Sequence, residues 1–157
     1  MNKIKGFVLD DKEISKNVGV HSPMVGLYSA FKELLDLGYQ KTLTISCDMP
    51  LIKKNVIELL INESIHYDCV IPKWKNGFLE PLLAVYPIKE ALFRIEYFLN
   101  RGAFKLINII DKNWKIKYII IEEQIQPLDN DLVSFININN LTDLEELTKK
   151  YNKNKKN

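Results

Sequence analysis

The sequence predicts an α/β fold around a mostly parallel central sheet, on three observations. Short apolar runs of strand length alternate with longer segments whose apolar residues recur at helical spacing. The connections between them are short, as in βαβ units, whose crossovers are right-handed. The third observation is the stretch Thr42-Leu43-Thr44-Ile45-Ser46-Cys47-Asp48-Met49-Pro50-Leu51-Ile52, which reads as a buried strand cut off by Pro50. Asp48 then stands at the carboxyl end of a central strand, where open α/β sheets form their ligand crevice. A carboxylate there suits a hard cation such as Mg²⁺, which takes few protein ligands when phosphates supply the others. It also suits a turn, since Asp is common at the start of proline-containing loops. The residues alone leave both roles open.

In chain order, Ile4 to Leu9 is an apolar run bounded by Asp10-Asp11 and predicts a strand, and polar Asp11 to Val20 a loop. Ser22-Pro23 precedes a helix from Met24 to Leu37, with Leu27, Ala30, Phe31, Leu34 and Leu35 on one face. Pro23 suits its first turn and Gly38 its end. After the Asp48 strand, Lys54 to Ser64 predicts a second helix through Val56, Leu59 and Leu60. Cys69-Val70-Ile71 predicts a strand, Lys73 to Gly77 a turn broken at Asn76-Gly77, and Leu82 to Tyr86 a returning strand. Glu80 lies just before Pro81, among apolar residues. Ile88 to Leu99 is amphipathic through Ile88, Leu92, Ile95 and Leu99, and Gly102 ends it. Ala103 to Ile110 predicts a short helix and Ile116 to Ile121 a strand. In Phe135-Ile136-Asn137-Ile138-Asn139-Asn140 the alternation puts Asn137 and Asn139 on one side of an extended segment. Thr142 opens the last helix, with Glu145 completing a capping box. Lys and Asn dominate residues 149–157, which predict a frayed basic tail.

The 157 residues fit one domain, and 46% hydrophobic against 27% charged residues is enough apolar material for a core. A net charge of +2 singles out no nucleic-acid partner. Cys47 and Cys69 match no zinc or redox spacing and read as buried free thiols within strands, in a reducing compartment. No apolar run approaches the roughly 20 residues of a membrane span. The expectation is a cytoplasmic protein. His21, His66, Trp74 and Trp114 read as loop or turn-flanking residues without a role.

Three segments, Ser46-Cys47-Asp48-Met49-Pro50, Leu79-Glu80-Pro81-Leu82-Leu83-Ala84-Val85-Tyr86, and Phe135-Ile136-Asn137-Ile138-Asn139-Asn140-Leu141-Thr142-Asp143-Leu144, stand in this order. Together they resemble the MobA family, the molybdenum cofactor guanylyltransferases. Ser22-Pro23-Met24-Val25-Gly26 is similar to that family's G-P-L-A-G segment, with Ser22 in place of the first glycine. The resemblance spans about residues 20 to 148. It implies a Rossmann-like nucleotidyltransferase sandwich, and transfer of guanylyl from GTP to the terminal phosphate of molybdopterin, with loss of pyrophosphate. On this resemblance Asp48 is the catalytic Mg²⁺ ligand, and Asn137 and Asn139 lie near the metal and the pterin side. Ser22, Pro23 and Gly26 line the nucleotide pocket. Glu80 either meets a basic group at the pterin site or satisfies backbone donors before Pro81.

The same resemblance implies a first strand running into an L-A-G-G-x-S-x-R-M-G loop, then a lysine, that wraps the triphosphate in backbone N–H groups. No such stretch occurs in these residues. Lys5 to Asp11 and Gly19 to Gly26 match the family's third strand and the loop after it. A second register sets Ile4 to Leu9 on the first strand, with Asp10-Asp11-Lys12-Glu13 where the glycines belong. On either register residues 1–148 are expected to be an incomplete domain, missing the N-terminal strand and phosphate loop. Three functional readings follow: a truncated guanylyltransferase, a non-catalytic remnant binding a protein partner at its exposed sheet edge, and a nucleotidyltransferase for another cofactor phosphate. The gap further predicts that Ile4–Leu9 pairs in parallel with Thr42–Cys47.

Overall fold

The computed structural model describes residues 22–154, with side-chain surroundings over 22–149. The predicted strand Ile4–Leu9, the loop Asp11–Val20, His21 and the expected pairing of Ile4–Leu9 with the Asp48 strand lie outside the described residues.

Helix α1 (Pro23–Asp36) begins after Ser22, whose backbone is extended, and carries proline where a missing N–H is no loss. It ends at Gly38, whose φ of 83° lets the Gly38 and Tyr39 N–H groups turn back to the Leu35 and Leu34 carbonyls. Next come β1 (Lys41–Ile45), α2 (Lys54–Glu63), β2 (Cys69–Lys73), β3 (Leu83–Pro87), α3 (Ile88–Leu99), β4 (Ile116–Ile120) and α4 (Leu141–Asn154). The alternation the apolar periodicity predicts is therefore present, and α3 spans the residues the sequence assigns to it. The short helix expected at Ala103–Ile110 is only a 3₁₀ turn at Leu106–Ile109. The Arg94 guanidinium explains the early stop: it donates to the carbonyls of Asn108, Ile109 and Ile110 and to the Asp111 carboxylate, and so pins the turn against α3.

The strand order is β1–β3–β2–β4. β1, β2 and β4 run in one direction, but β3 is antiparallel to both of its neighbours and only β2–β4 is a parallel pair. The sheet is thus mixed, where a mostly parallel one was expected. The reason is local. β2 returns through a tight turn, with Gly77 N–H to the Trp74 carbonyl and Trp74 N–H to the Phe78 carbonyl at 2.8 Å each, and such a connection reverses direction. Among the described residues β1 pairs only with β3, so it forms one edge of the sheet.

Alternation along the strands divides the core into two layers. Cys69, Ile71, Ala84 and Tyr86 face α1 and α3, packing on Met24, Phe31, Ala91 and Ile95. Val70, Leu83, Val85 and Ile119 face the other side, against Val56 and Leu60 of α2 and against Ile121 and Ile125. With both faces covered, β2 and β3 are buried almost throughout, which is why they read as continuous apolar runs.

The two cysteines differ. Cys69 is buried as expected, and burial, with a smaller contribution from Asp68, pushes its thiol up to about 12. Cys47 is exposed, because β1 stops at Ile45 and the chain has already entered a turn. The last helix is capped two residues earlier than Thr142 and Glu145 suggest. Asn140 Oδ1 accepts the Asp143 N–H at 3.0 Å, and Asp143 Oδ2 accepts the Asn140 N–H at 3.3 Å. That helix continues to Asn154, into the basic segment expected to fray. No helix among the described residues is long and apolar enough to cross a membrane.

Candidate functional site

Because β1, β2 and β4 share a direction, their carboxyl ends open on one side of the sheet, and Asp48 lies there. After Ile45 the chain makes a turn, with the Met49 N–H donating to the Ser46 carbonyl at 3.3 Å. Met49, only 6% exposed, inserts among Val56, Leu60, Val85 and Ile121, which fixes the turn on the core. Asp48 is held at the rim by this anchor. Its Oδ1 is buried and has no hydrogen-bond partner among the described residues.

The chain returns to this point far downstream. The Ile138 N–H donates to the Asp48 carbonyl at 2.8 Å. A second tie joins the same two segments, from the Lys53 N–H to Ser134 Oγ at 3.0 Å. With Asp48 against Ile138 and Lys53 against Ser134, the segments run antiparallel, and Ile52 and Phe135 pack in the same cluster between the ties. Asn137 and Asn139 flank Ile138 and are exposed, so the backbone bond brings the asparagine segment beside the Asp48 turn. The Asn139 N–H is held by Asp143 Oδ2 at 2.8 Å. A groove of about 270 Å³ opens beside them, lined by Ile136, Asn137, Asp143, Glu146 and Leu147. The larger hollow, about 470 Å³ and lined by Tyr39, Lys41, Asp68, Pro87 and Trp114 among others, lies at the opposite end of the strands and holds none of the predicted site residues.

Ser22, Pro23 and Gly26 sit in and before the first turn of α1. That helix leads directly into β1 and runs back along the sheet, so its amino end reaches the same side as Asp48. Ser22 Oγ is buried without a partner among the described residues, and a Cβ at Gly26 meets nothing within 4 Å. Packing among these residues therefore does not require glycine there. Among the described residues Glu80 meets neither a basic group nor the backbone donors before Pro81. Its Oε1 accepts the indole N–H of Trp74 at 2.6 Å, and Trp74 packs edge-on to Phe135 with ring centroids 5.2 Å apart. The pair closes the β2–β3 turn under the 134–138 segment, which gives Trp74 a structural role that the sequence did not reveal.

The sequence also gave no sign of Asp129. It is fully buried, its Oδ2 accepting the Ser134 N–H at 2.8 Å and its Oδ1 lying 3.3 Å from Lys53 Nζ. Burial opposes its ionisation most strongly. The Ser134 N–H and hydroxyl, the Lys53 ammonium and the Val133 N–H together outweigh burial and hold the carboxyl below its ordinary value. A lowered folded-state value stabilises the protein above the unfolded-state value, about 3.9, and that stabilisation is lost as pH falls through the folded value. Thermal unfolding against pH should therefore show the difference between wild type and Asp129→Asn shrinking below about pH 4. A difference constant from pH 7 to pH 2 would exclude an ionised Asp129.

No group of three or more His, Cys, Asp or Glu side chains is gathered among the described residues. A cation at Asp48 would have the carboxylate oxygen Oδ1 and oxygens supplied by its substrate, with the asparagine segment alongside. That donor set is hard and sparse, which fits Mg²⁺ with phosphates and does not fit zinc.

A family model described as the MobA-like NTP transferase domain matches residues 13–113. The chain belongs to that family. It is 34% identical over 124 residues to the molybdenum cofactor guanylyltransferase of Desulfosudis oleivorans, a match covering 78% of this chain and 58% of that protein. It is 30% identical over 114 residues to the probable molybdenum cofactor guanylyltransferase of Methanosarcina mazei, covering 73% of this chain and 50% of the relative. The chain thus spans only 50% and 58% of the lengths of these two relatives. Among solved structures, the molybdopterin-guanine dinucleotide biosynthesis protein A of Archaeoglobus fulgidus superposes with a TM-score of 0.67 at 25% identity, covering 92% of this chain and 76% of that one. This MobA-like domain therefore has the α/β sandwich that its motifs imply.

Proposed function

We propose that this MobA-like chain forms the metal and acceptor side of a guanylyltransferase site, acting on GTP and the molybdenum cofactor's pterin. The observation that carries the reading is the 2.8 Å bond from the Ile138 N–H to the Asp48 carbonyl, which brings the asparagine segment to a carboxylate whose Oδ1 has no partner among the described residues. The names of the relatives, molybdenum cofactor guanylyltransferases, support it. In this reaction an acceptor phosphate oxygen bonds to the α-phosphorus of GTP while the bond from that phosphorus to the pyrophosphate oxygen breaks. The protein's task is to align the two phosphates and screen their charge. Asp48 Oδ1 faces the phosphates as a Mg²⁺ ligand. Mg²⁺, when bound, neutralises charge developing on the phosphate oxygens. Asn137 and Asn139 orient the acceptor, each offering amide N–H donors to phosphate and an oxygen to a cation. At the amino end of α1 Pro23 has no N–H and the Val25 and Gly26 N–H groups donate to the Ser22 carbonyl, so the Met24 N–H and the positive end of the helix face the anion.

Mn²⁺ titration followed by electron paramagnetic resonance tests this on the chain itself. Wild type is expected to bind one Mn²⁺ at least about tenfold more tightly than Asp48→Asn, since removing the one carboxylate leaves only neutral oxygens. Equal binding by the two proteins would remove the metal-site reading.

A further inference from the structure

We propose that Asp129 is a positioning residue for this site, fixing the register at which Asn137 and Asn139 stand against Asp48; the proposal rests on the metal-site reading above. The Asp48–Lys53 and Ser134–Asn139 segments touch through two hydrogen bonds, and Asp129 controls the one farther from the asparagines. Its Oδ2 accepts the Ser134 N–H at 2.8 Å, its Oδ1 lies 3.3 Å from Lys53 Nζ, and Ser134 Oγ accepts the Lys53 N–H at 3.0 Å. One fully buried carboxylate thus grips both segments, at the residue that precedes α2 and at the residue that precedes Phe135. The chain between is wound around it. Leu132 has a φ of 49°, the left-handed region that a non-glycine side chain rarely adopts, and its N–H bonds to the Asp129 carbonyl at 2.8 Å. Such a conformation persists only where surrounding contacts hold it. Without the carboxylate, Ser134 loses its fixed place, the Lys53 N–H loses its acceptor, and the Ile138–Asp48 bond is left as the remaining hydrogen bond between the segments. The Asn137–Asn139 segment then loses its fixed register against the Asp48 turn.

The test is Mn²⁺ titration of the intact chain in single and combined variants, with thermal unfolding alongside. Asp129→Ala is expected to weaken Mn²⁺ binding about tenfold, the lower end of what losing a supporting partner of a metal site costs. Asp129→Asn, whose amide oxygen can still accept the Ser134 N–H, should recover most of that affinity. If Asp129 acts through the asparagines, Asp129→Ala adds no further loss of Mn²⁺ affinity in a background carrying both Asn137→Ala and Asn139→Ala, while its loss of thermal stability persists there in full. Unchanged Mn²⁺ affinity in a folded Asp129→Ala chain overturns the proposal, and so do losses that simply add. Should Asp129→Ala fail to fold, Ser134→Ala removes only the hydroxyl that holds Lys53 and carries the same coupling test. Equal Mn²⁺ binding by wild type and Asp48→Asn removes the metal site itself, an outcome distinct from either of these.

Discussion

The 157-residue polypeptide is expected to bind GTP–Mg²⁺ more than about a thousandfold more weakly than a family member carrying the glycine-rich loop. The resemblance to the family implies that this loop wraps the triphosphate with several backbone N–H groups and adds an arginine and a lysine. No L-A-G-G-x-S-x-R-M-G stretch occurs in these residues. Charge-assisted hydrogen bonds are worth about 1.5–3 kcal/mol each, so three missing bonds already exceed the roughly 4.1 kcal/mol of a thousandfold. Among the described residues the amino end of α1 and the Asp48 turn offer few donors. Isothermal calorimetry of the chain with GTP and Mg²⁺ checks it. Micromolar affinity would mean that some other segment supplies the cradle.

The second large effect belongs to Asp48. In a longer form that carries the loop ahead of this chain, Asp48→Asn should lower Mg²⁺-dependent guanylyl transfer by about a thousandfold or more, because charge stabilisation by a bound metal is worth several kcal/mol in the transition state. The fold should survive. The Asp48 contact to Ile138 uses the backbone carbonyl, and Met49 rather than Asp48 anchors the turn in the core. Pyrophosphate release measured at saturating GTP, with thermal unfolding as the control, separates the two effects. An Asp48→Asn protein with wild-type turnover would rule Asp48 out as the metal ligand, and one that is unfolded would show the carboxylate to be structural.

Much of the fold was legible because its elements are short-range. Helical spacing in Ile88–Leu99, proline at the start of α1 and Gly38 at its end are local signals, and the structure follows them. Helix capping was legible as well, though the sequence pointed to Thr142 and Glu145 while Asn140 and Asp143 form the reciprocal bonds, since Asn and Asp serve in the same way. Direction was less legible. The turn at Asn76-Gly77 was visible, but nothing in the apolar runs says which strand lies between which, so the mixed order β1–β3–β2–β4 was not read.

By itself, then, the sequence determined the α/β class, the family motifs and the acid at the end of the Asp48 strand, because each depends on neighbouring residues or on a local pattern. The tertiary structure alone decided what meets that acid. Asp48 and Ile138 are far apart in the chain, and only the shared direction of β1, β2 and β4 brings their ends together. Glu80 bonds Trp74, and Cys47 is exposed, for similar reasons: one depends on how the β2–β3 turn folds back and the other on where β1 stops pairing. Asp129 is the clearest case. In sequence, Pro127-Leu128-Asp129-Asn130 looks like any polar turn. Its carboxylate becomes a structural centre only when Lys53 and Ser134 arrive from two distant segments to balance a buried charge that water no longer solvates.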